Sequence, residues 1–125
     1  MPSGSTTFHE AEEHLAPQTR DMHRAIVSLM EELEAIDWYQ QRVDATGDGD
    51  LREILAHNRD EEIEHAVMTL EWIRRHSPRF DAVLRQYLFT EGSITAREEA
   101  VTAGEAGNGA PRASRPSVGS LRGGR

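Results

Sequence analysis

Cysteine is absent from the 125-residue chain, and so is lysine, because all 14 basic residues are arginine. Without cysteine there is no disulfide, no thiolate metal site and no cysteine nucleophile. Long apolar runs are also missing, since no stretch approaches the roughly 20 apolar residues of a membrane-spanning helix. The amino terminus lacks the pattern of a signal peptide. We therefore expect a small cytoplasmic protein with one folded domain and no membrane partner.

Acidic residues outnumber basic residues by 22 to 14, which gives a net charge of −8. This balance argues against nucleic acid as the main partner and favours attraction of cations. The charge is unevenly spread. Residues 1–103 hold 10 Arg and 21 acids, or −11, and residues 104–125 hold 4 Arg and 1 acid, or +3. We expect an acidic folded region followed by a basic tail.

Apolar residues recur at helical spacing in two long segments, about 17–44 and 51–76. A short third helix is expected to begin at Pro78, with Gly92 as the terminator. The apolar stripe of the first segment consists of Met22, Ile26, Leu29, Leu33 and Ile36. No strand pattern is evident. The sequence therefore predicts an all-α fold, in which an antiparallel two-helix hairpin is followed by a short third helix.

The domain boundary follows from composition. Residues 1–94 carry the helical patterns, so we predict that they form the folded domain. The apolar period is lost from about residue 95, and the chain then becomes rich in Gly, Ala, Ser and Pro. We therefore predict that residues 95–125 form a flexible tail.

A Glu-x-x-His pair, Glu62 and His65, interrupts the apolar stripe of the second segment. Residues three apart on a helix share one face and lie about 4.5 Å apart along the axis, so this pair can hold one metal ion. In the first segment, Glu32 flanks the apolar stripe, and a carboxylate on a core-facing position needs a partner. The candidate metal ligands are therefore Glu32, Glu62 and His65.

These three ligands are half of a known arrangement. Ferritin-like di-metal bundles take one Glu from each of two helices and one Glu-x-x-His from each of the other two. One chain here offers one helix of each kind, so two chains related by a two-fold axis would complete a four-helix bundle with the site between subunits. Carboxylate and imidazole ligands suit iron, with manganese or zinc as competitors.

Two other functions are compatible with the same residues. A Glu-x-x-His on an acidic helix also arises by chance, and the chain would then be a helical assembly or adaptor module. A di-metal bundle could instead reduce peroxide, because that chemistry uses the same ligands. Glu31, Glu34 and Trp38 share a different helix face, which is either a solvated acidic face or a second cation site. Tyr39 lies on the face of Glu32, as a core residue or as support for the ligands.

Three stretches resemble the encapsulated ferritins: residues 24–39, residues 54–62 with Glu64 and His65, and residues 87–92. The similarity covers roughly residues 22–99 and is specific in both sequence and spacing. It implies a ferroxidase that oxidises Fe²⁺ to Fe³⁺. It also implies dimers that assemble into an open ring of five. Such a ring can oxidise iron but has no closed cavity in which to store the mineral.

The resemblance also implies residue roles. The positions of Glu32, Glu62 and His65 would bind two irons between two subunits, and manganese, zinc or calcium could also occupy metal sites. The carboxylates of Glu31 and Glu34 would bind metal outside that centre. Trp38 would border the access route.

The carboxyl-terminal tail carries a second resemblance. Residues 117–123, within about 116–124, are similar to the short targeting peptide that docks cargo inside an encapsulin shell. Val118 and Leu121, on either side of Gly119 and Ser120, could enter an apolar groove and become ordered on binding. The alternative is an ordinary Gly/Ser tail. With the upstream similarity, we expect an encapsulin partner and a location inside its nanocompartment.

Overall fold

The computed structural model describes residues 4–98, and within that range it is all-helical with no strand. A short 3₁₀ turn, Glu12–His14, precedes the three helices. These are α1 (Pro17–Ala45), α2 (Gly49–His76) and α3 (Pro78–Tyr87). Residues 94–98 are helical as well. The predicted all-α class and the three predicted helices are confirmed.

Local chemistry explains where the helices begin. Pro17 and Pro78 occupy first-turn positions of α1 and α3, where the missing N–H is not needed. The carboxylate of Asp48 accepts a hydrogen bond of 2.9 Å from the Leu51 N–H and so caps α2. The hydroxyl of Ser77 accepts one of 3.1 Å from a backbone N–H in the first turn of α3.

The end of α3 differs from the prediction. Gly92 was the predicted terminator, but α3 already ends at Tyr87. Phe89 has the left-handed φ of 61° that often follows a helix, and the Thr90 hydroxyl donates a 2.6 Å hydrogen bond to the Tyr87 carbonyl. Gly92, with φ of 85°, lies in the following loop. The prediction for Gly92 is therefore wrong, because a non-glycine residue takes the left-handed position.

The predicted tail falls mostly outside the described range. The helical stretch at 94–98 is capped by Ser93, whose hydroxyl accepts a 3.2 Å hydrogen bond from the Ala96 N–H. Residues 99–125, including the predicted targeting residues, lie outside the described residues. The boundary that we placed at residues 94 and 95 stays a prediction.

The chain divides into two compact units, Met1–Ile73 and Arg74 onward. The first unit holds the antiparallel hairpin of α1 with most of α2. A short turn joins the two helices. Arg52 stabilises this turn by donating a 2.6 Å hydrogen bond to the Thr46 carbonyl. In the second unit, Asp81 on α3 accepts hydrogen bonds from Arg74 at 2.5 Å and from Arg85 at 3.0 Å.

Few side chains in the hairpin are buried. None on α1 is fully buried, and Leu33, in the middle of the predicted apolar stripe, is 54% exposed. Val67 and Met68 on α2 are 59% and 60% exposed. The hairpin therefore leaves apolar surface uncovered that a complete helical bundle would bury. None of the helices in residues 4–98 combines the length and the hydropathy that a membrane span requires.

Candidate metal centre

The predicted Glu-x-x-His pair lies in the middle of α2. Nδ1 of His65 is 3.6 Å from Oε1 of Glu62, and the two side chains are 47% and 27% exposed. A second carboxylate, Glu61, approaches the other ring nitrogen of His65 at 3.9 Å. Helical spacing alone produces the first contact, because residues three apart meet on one face. The pair thus presents carboxylate and imidazole together at an accessible surface.

Glu32 is half-buried on α1, and its Oε1 has no hydrogen-bond partner within residues 4–98. It lines an open groove of about 530 Å³. Met68, Thr69 and Trp72 of α2 form the opposite wall of this groove. A buried carboxylate oxygen without a partner costs free energy, commonly about 1–3 kcal/mol. A carboxylate oxygen of this kind in an open groove can coordinate a bound cation, which would take the place of the missing hydrogen-bond partner.

Within one chain the three predicted ligands do not converge. Among residues 4–98, no group of three or more His, Asp or Glu side chains is placed to hold a metal ion. Gln40 contacts Arg59 across the antiparallel hairpin, so counting back along α1 and forward along α2 puts Glu32 level with about Val67. Glu62 lies five positions earlier on α2, or about 7.5 Å along the axis. Each chain therefore offers two partial ligand sets.

The residues predicted to bind metal outside the centre and to border its access route lie on exposed surface. Glu31 and Glu34 are exposed, and Trp38 is 47% exposed. Tyr39 is half-buried, and the Arg42 guanidinium lies 5.6 Å from the centre of its ring, as in a cation–π contact. The roles that we assigned to these residues stay predictions.

The structure adds one contact that we did not anticipate. The Thr69 hydroxyl donates a 3.0 Å hydrogen bond to the backbone carbonyl of His65, and Thr69 also lines the groove of Glu32. A hydroxyl four residues after His65 is a detectable signal, because Ser and Thr commonly bond the carbonyl one turn earlier.

The model of the EncFtn-like family matches residues 7–91. The chain belongs to the encapsulated ferritins. It is 61% identical over 109 residues to the encapsulated ferritin-like protein of Rhodospirillum rubrum, covering 87% of this chain and 78% of that protein. It is 51% identical over 102 residues to a ferritin-like protein of Thermotoga maritima, covering 82% and 90% of the two chains.

This encapsulated ferritin is also similar to a named cargo protein and to a solved structure. It is 34% identical over 106 residues to the encapsulin nanocompartment cargo protein EncC of Myxococcus xanthus, covering 81% of each chain. A crystal structure of a protein from Nitrosomonas europaea superposes with a TM-score of 0.67 at 61% identity, covering 70% of this chain and 96% of that one. The resemblance of the helical region to the encapsulated ferritins is confirmed, and that of the tail to a targeting peptide stays a prediction.

Proposed function

We propose that this encapsulated ferritin is a ferroxidase, whose substrate Fe²⁺ binds to Glu32, Glu62 and His65 between two subunits. The observation that carries the proposal is the buried Oε1 of Glu32, which lies beside an open groove and has no hydrogen-bond partner in the part of the chain that the structure describes. Carboxylate and imidazole donors fit iron, and the Glu62–His65 pair supplies both kinds in one helical turn.

A second copy of the chain would complete the ligand set. Apolar side chains on both helices of the hairpin, among them Leu33 and Val67, are more than half exposed, and pairing of two hairpins would bury them. Two copies supply two of each ligand, and the four carboxylates carry −4, which balances two Fe²⁺ ions. The proposed assembly is a ferritin-like four-helix bundle, and five such dimers would form a ring.

The proposed reaction removes one electron from each of two Fe²⁺ ions, and one molecule of oxidant accepts both. Dioxygen would be reduced to hydrogen peroxide, or hydrogen peroxide to two water molecules, and in either case two protons are taken up from solvent. The carboxylates of Glu32 and Glu62 hold the ions close together and favour the higher charge of Fe³⁺. The imidazole of His65 supplies a nitrogen ligand beside the Glu62 carboxylate. Exposed Glu31 and Glu34 would attract ions on the way in, past Trp38.

Storage would take place inside an encapsulin shell. The relatives from Rhodospirillum rubrum and Myxococcus xanthus are named as an encapsulated ferritin-like protein and as an encapsulin cargo protein. We extend that association to this chain through the tail residues Val118 and Leu121, with Gly119 and Ser120 between them. Replacing both apolar anchors by Asp should abolish co-purification with the shell protein while leaving iron oxidation intact.

The decisive experiment is anaerobic loading with Fe²⁺, followed by exposure to air and optical detection of Fe³⁺. The wild type is compared with Glu32→Ala, Glu62→Ala and His65→Ala, and the mass in solution is recorded for each. We expect rapid oxidation of about one iron per chain in the wild type, because two chains share two ions, and loss of it in all three variants. Oxidation no faster than that of free Fe²⁺, with assembly unaffected by metal, would contradict the proposal and favour the adaptor function.

A further inference from the structure

We propose that Arg59 is a positioning residue for the candidate metal centre. Its guanidinium bridges α2 to α1 and sets the register of the two helices, and this register decides how far Glu62 and His65 lie from Glu32. This inference rests on the proposed function, because it assigns a role relative to the proposed iron ligands.

The contacts of Arg59 use most of its donor groups. Nη1 donates a 2.7 Å hydrogen bond to Oε1 of Gln40 on α1. Nε and Nη2 donate bonds of 3.0 and 2.9 Å to Oδ1 of the neighbouring Asp60. The Arg59 side chain is only 25% exposed, against 63% for Asp60. Because the guanidinium is planar and rigid, it cannot turn toward a different α1 residue and keep all three bonds.

The acceptor on α1 is held in place as well. Nε2 of Gln40 donates a 3.0 Å hydrogen bond to Oδ1 of Asp44, one turn further along α1. This bond directs the amide NH₂ along α1 and leaves the amide oxygen to face Arg59. Four side chains, Asp60, Arg59, Gln40 and Asp44, thus form one hydrogen-bonded row across the hairpin. Within this row, Arg59 lies three residues before Glu62 on α2.

Apolar packing alone would specify this register weakly. Contacts between apolar side chains are non-directional, and none on α1 is fully buried within the chain. A slip of one residue would move a helix by about 1.5 Å and turn its side chains by about 100°. A directional polar contact between two helices can fix their register. Arg59 and Gln40 provide such a contact, one turn from Glu62.

The test is a double-mutant cycle with Arg59→Met, Gln40→Met and the combined variant. Methionine keeps an unbranched side chain of similar length and removes the polar bridge. Gln41→Met is the matched control, because the Gln41 amide donates to Asp37 within α1 at 3.0 Å and does not cross the hairpin. Gln40→Glu combined with Asp44→Asn is the rescue variant. The first change retains an acceptor for Arg59, and the second replaces the carboxylate that would repel it by an amide that can donate to it.

Two readouts separate positioning from simple stabilisation. The first is the affinity and visible spectrum of bound Co²⁺, used as a probe of ligand geometry. The second is the rate of Fe²⁺ oxidation at saturating and limiting Fe²⁺. We expect each single variant to slow oxidation roughly tenfold at saturating Fe²⁺, since small misplacements of reacting groups have effects of this size or larger. The combined variant should be no slower than the worse single variant, and the Co²⁺ spectrum should change in all three.

The control and the rescue variant should behave as the wild type in both readouts. Additive effects of the two single variants, or lowered unfolding temperatures with an unchanged Co²⁺ spectrum, would overturn the inference. A wild type that binds Co²⁺ but oxidises no Fe²⁺ would contradict the proposed function alone. The role of Arg59 would still be tested, because the affinity and spectrum of bound Co²⁺ can be compared across the double-mutant cycle. A wild type that neither binds Co²⁺ nor oxidises Fe²⁺ would overturn both the proposed function and the role of Arg59.

Discussion

Two carboxylates, one in each compact unit, differ in whether they have hydrogen-bond partners. Asp81 in the second unit accepts hydrogen bonds from both Arg74 and Arg85. Glu32 in the hairpin has a buried oxygen with no partner within residues 4–98. A partnered carboxylate belongs to the structure of the chain itself, because its charge is already compensated. A buried carboxylate oxygen without a partner raises the free energy of the folded protein, and a bound ligand can remove that cost. This difference distinguishes a structural carboxylate from a candidate ligand-binding one.

Electrostatics supports the structural role of Asp81. Partial burial by itself would raise the pKa of Asp81. The hydrogen bonds from Arg85 and Arg74, together with their positive charges, outweigh burial and leave the pKa of Asp81 below its ordinary value. The carboxylate is thus held in its charged form by the fold.

The largest expected effect is that of Glu32→Gln on iron oxidation. This change keeps the shape of the side chain and removes its charge, so oxidation should fall by more than roughly 100-fold, because a ligand is lost. The unfolding temperature of the metal-free protein should stay the same or rise, because a neutral amide costs less to bury than a charged carboxylate. Stopped-flow absorbance and thermal unfolding measure the two quantities.

Glu53→Gln, at an exposed position of α2, is the control for Glu32→Gln and should leave both quantities unchanged. A large loss of metal-free stability in Glu32→Gln would show that Glu32 has a structural partner, and the contrast with Asp81 would fail.

Metal addition should produce the next largest effect. A cation that binds only the folded protein stabilises it by about 2.7 kcal/mol when its concentration is about 100 times Kd. We expect Co²⁺ to raise the unfolding temperature of the wild type and of Asp81→Asn, but not of Glu32→Gln. Chelator should reverse the effect and lower the mass in solution. Equal stabilisation of Glu32→Gln would place the metal elsewhere.

Asp81→Asn should lower the stability of the metal-free protein and leave iron oxidation unchanged, which is the opposite of Glu32→Gln. Its effect should also be smaller. Loss of the charge weakens the bonds to Arg74 and Arg85, and we expect a decrease of about 1 kcal/mol in the free energy of unfolding, since all three side chains are partly exposed. Denaturant unfolding measures this decrease, and iron oxidation should be unaffected. Asp37→Asn, on exposed α1 surface, is the control and should change stability by less than about 0.5 kcal/mol.

The smallest effect concerns pH. Because the pKa of Asp81 is lower in the folded state, the unfolded state binds more protons between the two pKa values. Its contribution to stability is present at neutral pH and is lost as pH falls below about 4 and through the folded pKa. Wild type and Asp81→Asn should therefore converge in stability at acid pH. Parallel curves down to the lowest accessible pH would contradict the assignment.

Much of the fold follows from the sequence because its signals are local. Pro17, Pro78 and Ser77 mark helix starts through backbone chemistry that needs no distant contact. The spacing of the apolar residues predicts α1 and α2, and three-residue spacing on one helix brings Glu62 and His65 together. The helix end at Tyr87 escaped prediction because Phe89, rather than Gly92, takes the left-handed conformation.

Other features depend on how the two helices lie against each other, and only the tertiary structure decides them. The sequence identifies Glu32 as a candidate ligand, but the burial of its Oε1, which has no partner among the described residues, results from the groove that α2 forms beside it. The bridge from Arg59 to Gln40 joins residues 19 positions apart, and no helical period predicts it. The separation of Glu32 from Glu62 within one chain likewise depends on this register. Local spacing determines which side chains share a helix face, whereas packing between helices determines which faces meet.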